Sequence, residues 1–319
     1  MTDRRLDCVV CGSCVVDMLV KPVPLDQPIG GGKLLRVDPI TVATGGIVSN
    51  AGTAMARLGL SVAAFSYVGR DEWGDVIRAR FAAEGIDASC LMTHPTAATS
   101  TTAVLIDPAG ERSFAHCVGA PKRMTIDEFR QNLPLFASSR FMLMGYYSLM
   151  PNLERDLARL YETVRATGCR TALDAAGSGG TMDPLEHVLP HLDVYVPSFA
   201  EARHQTGETV PSRIIVRYRD AGAPGVVGVK LGREGALLSD RAGQYVEIEA
   251  VKPPGGKVID TTGAGDAFFG GLITGLIRGL ALSDAGRLAA ATGACCVAGL
   301  GASAGLRGYN ETARLAGLT

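Results

Sequence analysis

Residues 258–269 read VIDTTGAGDAFF, a glycine-rich turn that leads into a helix. Apolar residues continue with helical spacing at positions 268, 269, 272, 273, 276, 277 and 280, so the pattern predicts a helix from Gly265 to Gly279. Such a turn directs backbone N–H groups at an anion, which a helix N-terminus binds without a cationic side chain. Asp266 falls in the first turn of this helix, where the helix dipole favours an ionised carboxylate by about 0.3–1 kcal/mol.

A carboxylate beside an anion-binding turn suits phosphoryl transfer to an alcohol. The carboxylate takes the proton of the acceptor hydroxyl, and the backbone N–H groups hold the phosphoryl group in transit. The alternative is that Asp266 only caps the helix. The two common glycine-rich phosphate-binding motifs are absent from the sequence, which has neither a G-x-x-x-x-G-K-[ST] nor a complete G-x-G-x-x-G motif.

Strand and helix patterns alternate along most of the chain, which predicts an α/β fold with a parallel sheet. The run from Leu6 to Cys14 is nearly continuous in apolar residues, as in buried strands of parallel sheets. Two β-rich segments, approximately 17–42 and 96–119, interrupt the alternation and predict one small additional sheet. The second contains Asp-Pro-Ala-Gly between two strand patterns, a hairpin signal.

Composition excludes several classes of protein. The chain has 319 residues, enough for one large or two ordinary domains. Lys and Arg number 31 and Asp and Glu 32, so the net charge of −1 argues against a nucleic-acid or membrane-surface partner. Apolar residues make up 47 %, enough for a large core. The longest uncharged stretch, 288–306, is rich in Ala and Gly and predicts a buried helix with a loop rather than a membrane span.

The cysteines predict reduced thiols rather than a metal centre. Cys8, Cys11 and Cys14 have the spacing of an iron–sulfur ligand run, but Met18 stands where a fourth ligand is needed. On a strand these three positions alternate between faces and do not converge on one ion. Scattered reduced thiols, with no convincing signal peptide, predict a cytoplasmic protein.

Two motifs resemble the signatures of one family, the ribokinase-like (PfkB) carbohydrate kinases. DTTGAGDAFFGG, at 260–271, resembles the C-terminal signature. The stretch GGIVSN at 45–50, followed by Gly59 and Gly69, resembles the N-terminal signature and its spacing.

The resemblance covers essentially the whole chain. It implies a three-layer α/β/α fold with a mainly parallel central sheet. Residues 1–319 then form a single domain in which segments 17–42 and 96–119 build a small β-sheet lid.

The resemblance implies an ATP-dependent kinase that phosphorylates a hydroxymethyl group of a sugar or related polyol. Asp266 is then the general base, and Gly263, Ala264 and Gly265 form an anion hole for the γ-phosphate. The sugar-binding positions of the family fall on Asp17, Gly45, Gly46 and Asn50.

Two further residues are candidates for substrate contact. Arg112 lies in the second lid segment, and its alternative role is that of a solvated strand residue. Tyr146 lies at a strand end beside the expected sugar pocket, where an aromatic ring can stack on a ligand.

The nucleotide side of the family pattern is present with substitutions. The turn from Lys230 through Gly232 to Gly235 resembles T-x-G-x-x-G with Lys in place of Thr, and Lys reaches a phosphate as a point charge. Ser198 and Glu201 resemble an N-x-x-E motif, with Ser in place of Asn, whose Glu positions Mg²⁺ through water. The alternative for Glu201 is an exposed glutamate at a helix start.

Further expectations concern a second cation, the partners and the alternatives. Asp260 and Thr262, with the loop at 299–302, resemble the K⁺ site of some family members. A homodimer through the lid follows by analogy. The alternatives are a nucleoside kinase, a sugar-phosphate kinase and a sugar-binding regulatory protein on the same fold. The sugar-phosphate kinase needs convergent Lys or Arg residues, for which the sequence offers only scattered candidates such as Lys122 and Arg123.

Overall fold

The structure is a computed structural model that describes residues 6–28, 30–32, 34–175 and 181–318. Ile29 and Lys33, within the first β-rich segment, lie outside the described residues. The strands of the described part form a nine-stranded and a four-stranded sheet. They are β1 (Leu6–Gly12), β2 (Val15–Val20), β3 (Thr41–Gly45), β4 (Val62–Val68), β5 (Leu91–Thr93), β6 (Ser100–Ile106), β7 (Arg112–Cys117), β8 (Ser139–Gly145), β9 (Arg170–Asp174), β10 (Val194–Tyr195), β11 (Val226–Lys230), β12 (Ala236–Ser239) and β13 (Val246–Ile248).

The nine-stranded sheet is mainly parallel, as the sequence predicts. Its order is β13-β12-β11-β10-β9-β8-β1-β4-β5. All neighbours from β11 to β5 pair in parallel, and β12 and β13 extend the β11 edge as antiparallel strands. The predicted α/β architecture with a mainly parallel central sheet is therefore confirmed.

Helices cover both faces of this sheet and make the fold three-layered. One face carries an apolar core around Phe65, Phe129 and Tyr161, and the other a core around Val48 and Phe269. The helices are α1 (Gly46–Arg57), α2 (Glu72–Ala83), α3 (Ile126–Gln131), α4 (Leu133–Ala137), α5 (Pro151–Glu154), α6 (Leu157–Ala166), α7 (Met182–Val188), α8 (Phe199–Thr206), α9 (Pro211–Asp220), α10 (Ala264–Ile277), α11 (Leu282–Cys296) and α12 (Tyr309–Leu315).

The uncharged stretch at 288–306 divides as its composition predicts, because α11 ends at Cys296 and a loop follows. Among the described residues, no helix combines the length and the hydropathy needed to cross a membrane. The three clustered cysteines do not share one side of the sheet. Cys8 and Cys14 pack in one core and Cys11 packs in the other, which follows from the two-residue period of a strand.

The four-stranded sheet, called here the small sheet, has the order β3-β2-β6-β7. Its register places Asp17 opposite Thr102, and Thr102 opposite His116, so these polar side chains lie in one row across the sheet. In the described residues its strands extend beyond the first predicted segment, since β2 begins at Val15 and β3 ends at Gly45. The reason is local: the chain passes from β1 into β2 after only two residues, and the prolines and glycines between 21 and 40 interrupt regular pairing there.

Candidate active site

The candidate functional side chains gather at the carboxyl ends of the parallel strands. Tyr146 follows β8, Asp174 ends β9, Ser198 follows β10 and Lys230 ends β11. These strands are neighbours, and their carboxyl ends share one edge of the sheet, which is where α/β proteins bind ligands.

Asp266 is buried at the start of α10, with 4 % of its surface exposed. Asn50 Nδ2, from α1, donates a hydrogen bond to Asp266 Oδ2 at 2.7 Å, and the Tyr146 hydroxyl donates to the same oxygen at 2.9 Å. The N-cap of α10 is Gly263, which has no side chain to accept a bond from the helix. The carboxylate is thus held by two distant segments rather than serving as a helix cap.

Tyr146 adopts a left-handed backbone conformation, with φ of 63°, which costs a non-glycine residue about 1–3 kcal/mol. Its N–H donates to the carbonyl oxygen of Asp174 at 3.2 Å, so the end of β9 holds this conformation in place. The strained backbone directs the phenol to Asp266. Sequence reasoning placed Tyr146 near the pocket but predicted a stacking role rather than this hydrogen bond.

Burial, and after it the nearby charge of Asp174, raises the pKa of Asp266 to about 6. The hydrogen bonds from Asn50 and Tyr146 and the positive charge of Lys230 act in the opposite direction, because each stabilises the ionised form. The carboxylate therefore titrates close to neutral pH, the range in which a general base is most effective.

The turn before α10 depends on Gly263. Its φ of 74° lies in the left-handed region, and a Cβ atom there would overlap the Cβ of Ala302. Ala264 and Gly265 follow in the first turn of α10, where backbone N–H groups precede the carbonyls that accept them deeper in a helix. The predicted glycine-rich turn at the start of a helix is thus present in the structure.

One cavity, called here the inter-sheet cavity, lies between the small sheet and the turn before α10, with a volume of about 280 Å³. Asp17 and Asn50 are among its polar lining residues. The ionisable side chains among the described lining residues include two carboxylates and His116, but no Lys or Arg. The lining further includes Leu19, Gly46, Thr102, Val104, Phe114, Tyr146, Asp260, Thr262 and Gly263.

Three of the predicted substrate residues meet around one carboxylate of this cavity. Burial raises the pKa of Asp17, while the hydroxyl of Thr102 hydrogen-bonds to its carboxylate. A Cβ atom at Gly45 would overlap Asp17 Oδ2, so only glycine leaves room for that carboxylate. Gly46 lines the cavity beside them.

A second cavity, called here the strand-end cavity, collects the residues predicted for the nucleotide side. Its lining comprises Tyr146, Asp174, Ser198, Glu201, Lys230, Gly232, Thr261, Gly263, Ala264, Gly265 and Asp266. It shares Tyr146 and Gly263 with the inter-sheet cavity. Asp266 lines the strand-end cavity and is bonded to two residues that line the other, so its carboxylate lies at the junction of the two.

Lys230 is the cation of the strand-end cavity. Its Nζ lies 3.1 and 3.3 Å from the two carboxylate oxygens of Asp174 and 5.3 Å from the centre of the Phe269 ring. Burial alone would lower the pKa of Lys230, but the carboxylates of Asp174, Glu201 and Asp266 raise it above its ordinary value. Lys230 therefore stays charged.

Sequence reasoning missed Asp174. The available signal was a single acidic residue at the end of the apolar strand β9, two strands away from β11 and its terminal lysine. One acidic residue at a strand end has no spacing pattern, which is why it escaped notice.

Ser198 and Glu201 form a capping box at the start of α8. Glu201 Oε2 accepts from Ser198 N at 2.7 Å, and Ser198 Oγ accepts from Glu201 N at 3.3 Å. Glu201 is buried rather than an exposed glutamate, and burial together with Asp174 raises its pKa. The carboxylates of Glu201 and Asp174 are hard oxygen donors of the kind that Mg²⁺ prefers, so the residues present fit that ion. Gly235, by contrast, lies in the turn against β13, where a Cβ atom would overlap the Ile248 carbonyl.

Arg112, Asp260 and Thr262, assigned to two different sites from the sequence, contact one another. Arg112 Nη2 lies 2.6 Å from Asp260 Oδ1, and Arg112 Nη1 donates to Thr262 Oγ1. Asp260 Oδ1 also accepts from Thr262 N at 2.7 Å, and Oδ2 accepts from Gly301 N at 2.7 Å. Three donors already bond to the Asp260 carboxylate, and Arg112 already supplies a positive charge beside it, so these side chains do not fit a K⁺ ion.

Comparison with known proteins identifies relatives in sequence. The profile of the pfkB family carbohydrate kinases matches residues 5–307. The ribokinase of Haemophilus influenzae is 28 % identical over 313 residues, which is 97 % of either chain. A fructokinase of Klebsiella pneumoniae is 30 % identical over 277 residues, covering 84 % of this chain and 83 % of the relative.

Solved structures share the fold. Arabidopsis thaliana ribokinase, complexed with ribose and ATP, superposes with a TM-score of 0.84 at 21 % identity and covers 98 % of this chain and 99 % of its own. An Escherichia coli protein described as a ribokinase II, in complex with ATP and Mg²⁺, gives 0.82 at 24 % identity and covers 97 % and 98 %. The expected ribokinase-like fold is thereby confirmed.

Replacing Lys230 with Met should lower the free energy of unfolding by about 3–5 kcal/mol at neutral pH, because Asp174 is left as a buried charge without its cation. The loss should shrink as the pH falls, since Glu201 and Asp266, whose pKa values are raised, then become neutral and repel Asp174 less. Urea unfolding followed by the fluorescence of the single tryptophan, Trp73, measures both effects.

The matched controls for this prediction are Lys257→Met, which removes an exposed lysine, and the double variant Lys230→Met with Asp174→Leu. The double variant should recover part of the lost stability, because the charge of Asp174 is no longer left without its cation. An equal loss in the single and double variants would contradict the assignment of this ion pair.

Proposed function

Since the chain belongs to the pfkB family of carbohydrate kinases, we propose that this sugar kinase transfers the γ-phosphate of ATP to a hydroxymethyl group of a neutral monosaccharide. Asp266 acts as the general base. The observation that carries the proposal is the position of its carboxylate at the junction of two cavities, held there by Asn50 and Tyr146.

The two hydrogen bonds of Asp266 determine which oxygen accepts the proton. Asn50 and Tyr146 both donate to Oδ2, so Oδ1 is the oxygen left to accept the proton of a substrate hydroxyl. The deprotonated hydroxyl oxygen attacks the γ-phosphorus, the bond from that phosphorus to the β–γ bridging oxygen breaks, and ADP leaves. The N–H groups of the turn at 263–265 stabilise the charge on the phosphoryl oxygens. Both donors fix the carboxylate in place before the substrate arrives.

The strand-end cavity takes the nucleotide. Lys230 stands where the family pattern has Thr, and its buried ammonium contacts the phosphates as a point charge. Glu201 and Asp174 are the residues that would hold Mg²⁺ through water, and the ion would neutralise charge on the phosphates. Arabidopsis ribokinase with ATP and the E. coli protein with ATP and Mg²⁺ support this assignment by analogy.

The inter-sheet cavity favours an uncharged sugar. Among the described residues that line it there is no Lys or Arg. Asp17 contributes a carboxylate, whereas the Asp260 carboxylate is paired with Arg112. A phosphate or carboxylate group on the substrate would meet like charge there, which disfavours a sugar phosphate or sugar acid. Asp17 and the free carbonyl oxygen of Asn50, buried without a partner among the described residues, accept hydrogen bonds from sugar hydroxyls. Lys122 and Arg123 do not line the cavity.

The small sheet acts as a lid over the sugar. Leu19, Val104 and Phe114 give the cavity an apolar side on that sheet, and closure over the substrate excludes water so that ATP is not simply hydrolysed.

The opposite face of the small sheet is the surface through which we expect two copies to pair. Met18, Val42, Leu105 and Ala115 alternate with the cavity-lining residues, and Val42 and Ala115 are exposed. An exposed apolar sheet face with open edges favours pairing with a second copy.

Light scattering should therefore give a dimer that Val42→Lys with Ala115→Lys converts to a monomer. A wild-type monomer at micromolar concentration would refute this expectation.

The decisive experiment follows ADP release from ATP and Mg²⁺ with neutral pentoses and hexoses, sugar acids, sugar phosphates and nucleosides. We expect a neutral sugar to give the highest kcat/KM. Asp266→Asn should lower kcat by at least about 100-fold, since a general base contributes about 10²–10⁴-fold. The melting temperature should stay close to that of the wild type, because Asn still accepts the bonds from Asn50 and Tyr146.

Asp284→Asn is the matched control, because Asp284 occupies the first turn of the neighbouring helix α11 and pairs with Arg287 outside both cavities. It should leave kcat unchanged. Activity that survives in Asp266→Asn would remove Asp266 from the mechanism, and a nucleoside as the best substrate would overturn the sugar assignment.

The pH profile tests the same residue independently. Protonated Asp266 cannot accept a proton, so kcat should fall tenfold per pH unit below about 6 and level off above it. Tyr146→Phe removes a donor that stabilises the ionised carboxylate, so the acid limb should move to higher pH. Tyr67→Phe, which removes a hydroxyl bonded to Glu128 instead, should leave the limb in place. An acid limb unmoved in Tyr146→Phe would show that the phenol does not set this pKa.

A further inference from the structure

Arg112 connects the small sheet to the turn that precedes Asp266. It begins β7, opposite Ile106, and its guanidinium leaves the sheet to contact Asp260 and Thr262. The contact is enclosed, with 16 % of the Arg112 side chain and 2 % of the Asp260 side chain exposed. Removing one partner of a charge pair shielded from water is strongly destabilising, because the other charge is left buried without compensation.

The Asp260 carboxylate that binds Arg112 is also hydrogen-bonded to two loops. Its carboxylate also accepts the N–H groups of Thr262 and Gly301, which joins the start of the turn to the loop at 299–302. Thr262 directly precedes Gly263, the first of the residues that hold the phosphoryl group in the proposed function. One guanidinium therefore ties the small sheet to the anion-binding turn.

A monovalent cation is the alternative way to place positive charge at this position. It would need carboxylate oxygens that here accept one guanidinium and two backbone N–H groups. Here the chain itself supplies the positive charge from the small sheet, so the position of this charge depends on the position of that sheet.

We propose that Arg112 is a built-in cation that positions the anion-binding turn, so that the turn is held in place only while the small sheet is closed and phosphoryl transfer needs no K⁺. Arg112 acts through Asp260 and Thr262 and is a positioning residue. The catalytic half of this proposal rests on the proposed function, whereas the structural half does not.

A competing role for Arg112 is direct contact with the substrate. Its Nε–H group is buried without a partner among the described residues and is thus a donor still to be used. The two roles differ in kinetics: loss of a positioning residue lowers kcat, whereas loss of a sugar contact made equally in ground and transition states raises KM alone.

The experiment compares wild type, Arg112→Gln and Arg112→Lys in KCl, NaCl and choline chloride at equal ionic strength. For wild type, we expect the same kcat and the same melting temperature in all three salts. For Arg112→Gln, we expect kcat to fall by at least about tenfold, less than the loss of a direct oxyanion donor, with little change in the KM for sugar. Arg112→Lys, or guanidinium added to Arg112→Gln, should restore part of kcat.

Arg36→Gln, which removes an exposed arginine of the other segment of the small sheet, is the matched control and should behave like wild type in every salt. Activation of wild type by K⁺, or a melting temperature of wild type raised by K⁺ over choline, would overturn the proposal. A kcat unchanged in Arg112→Gln, or a change confined to the KM for sugar, would overturn it as well.

The melting temperatures keep the test separate from the proposed function. Arg112→Gln leaves Asp260 buried without its cation, so its melting temperature should fall. This readout needs no turnover and tests the Arg112 contact even if none of the sugars is phosphorylated. An unchanged melting temperature in Arg112→Gln would show that the pair does not hold the turn, and the wild-type salt comparison decides the cation question should the variant fail to fold.

Discussion

The arrangement of the site follows from the need to keep one carboxylate, Asp266, ionisable inside the protein. A buried carboxylate is tolerated only if donors and countercharge compensate for its lost hydration. Its donors, Asn50 and Tyr146, come from α1 and the end of β8, and its countercharge, Lys230, comes from the end of β11. Only a sheet that brings these segments to one edge can supply all three. The parallel topology is therefore a requirement of the site.

The charges of the strand-end cavity suit a polyanionic ligand that arrives with a cation. Lys230 faces three carboxylates, those of Asp174, Glu201 and Asp266. If Lys230 turns from Asp174 toward a phosphate, Asp174 loses its partner and becomes a free hard-oxygen ligand. In the proposed function, this exchange of one ion pair for two new contacts would make the binding of nucleotide and the binding of a divalent cation favour each other.

What could be predicted from the sequence was the local part of this arrangement. Residues 258–269 specify their own turn and helix, so the pattern singled out Asp266 with a helix cap as its alternative role. The family resemblance supplied the role of Gly263 and the candidates Asp17 and Asn50. Asp174 was missed because a single acid at a strand end has no pattern. The contact of Arg112 with Asp260 was not foreseen, because a long side chain that crosses between two sheets leaves no trace in either segment. The limits of the small sheet were misplaced because β1 continues almost directly into β2.

The turn between Asp260 and Asp266 is the element in which these contacts meet. At its first residue the turn is tied to the small sheet through Arg112, and at its last residue it is tied to the central sheet through Asn50 and Tyr146. The intervening glycines give the turn a backbone shape that depends on both ties, since Gly263 has no side chain of its own to fix it. In the proposed function, movement of the small sheet would therefore shift the N–H groups that face the phosphate, while Asn50 and Tyr146 hold the base. Closure of the lid over the sugar and formation of the anion hole would then both depend on the ion pair of Arg112 and Asp260.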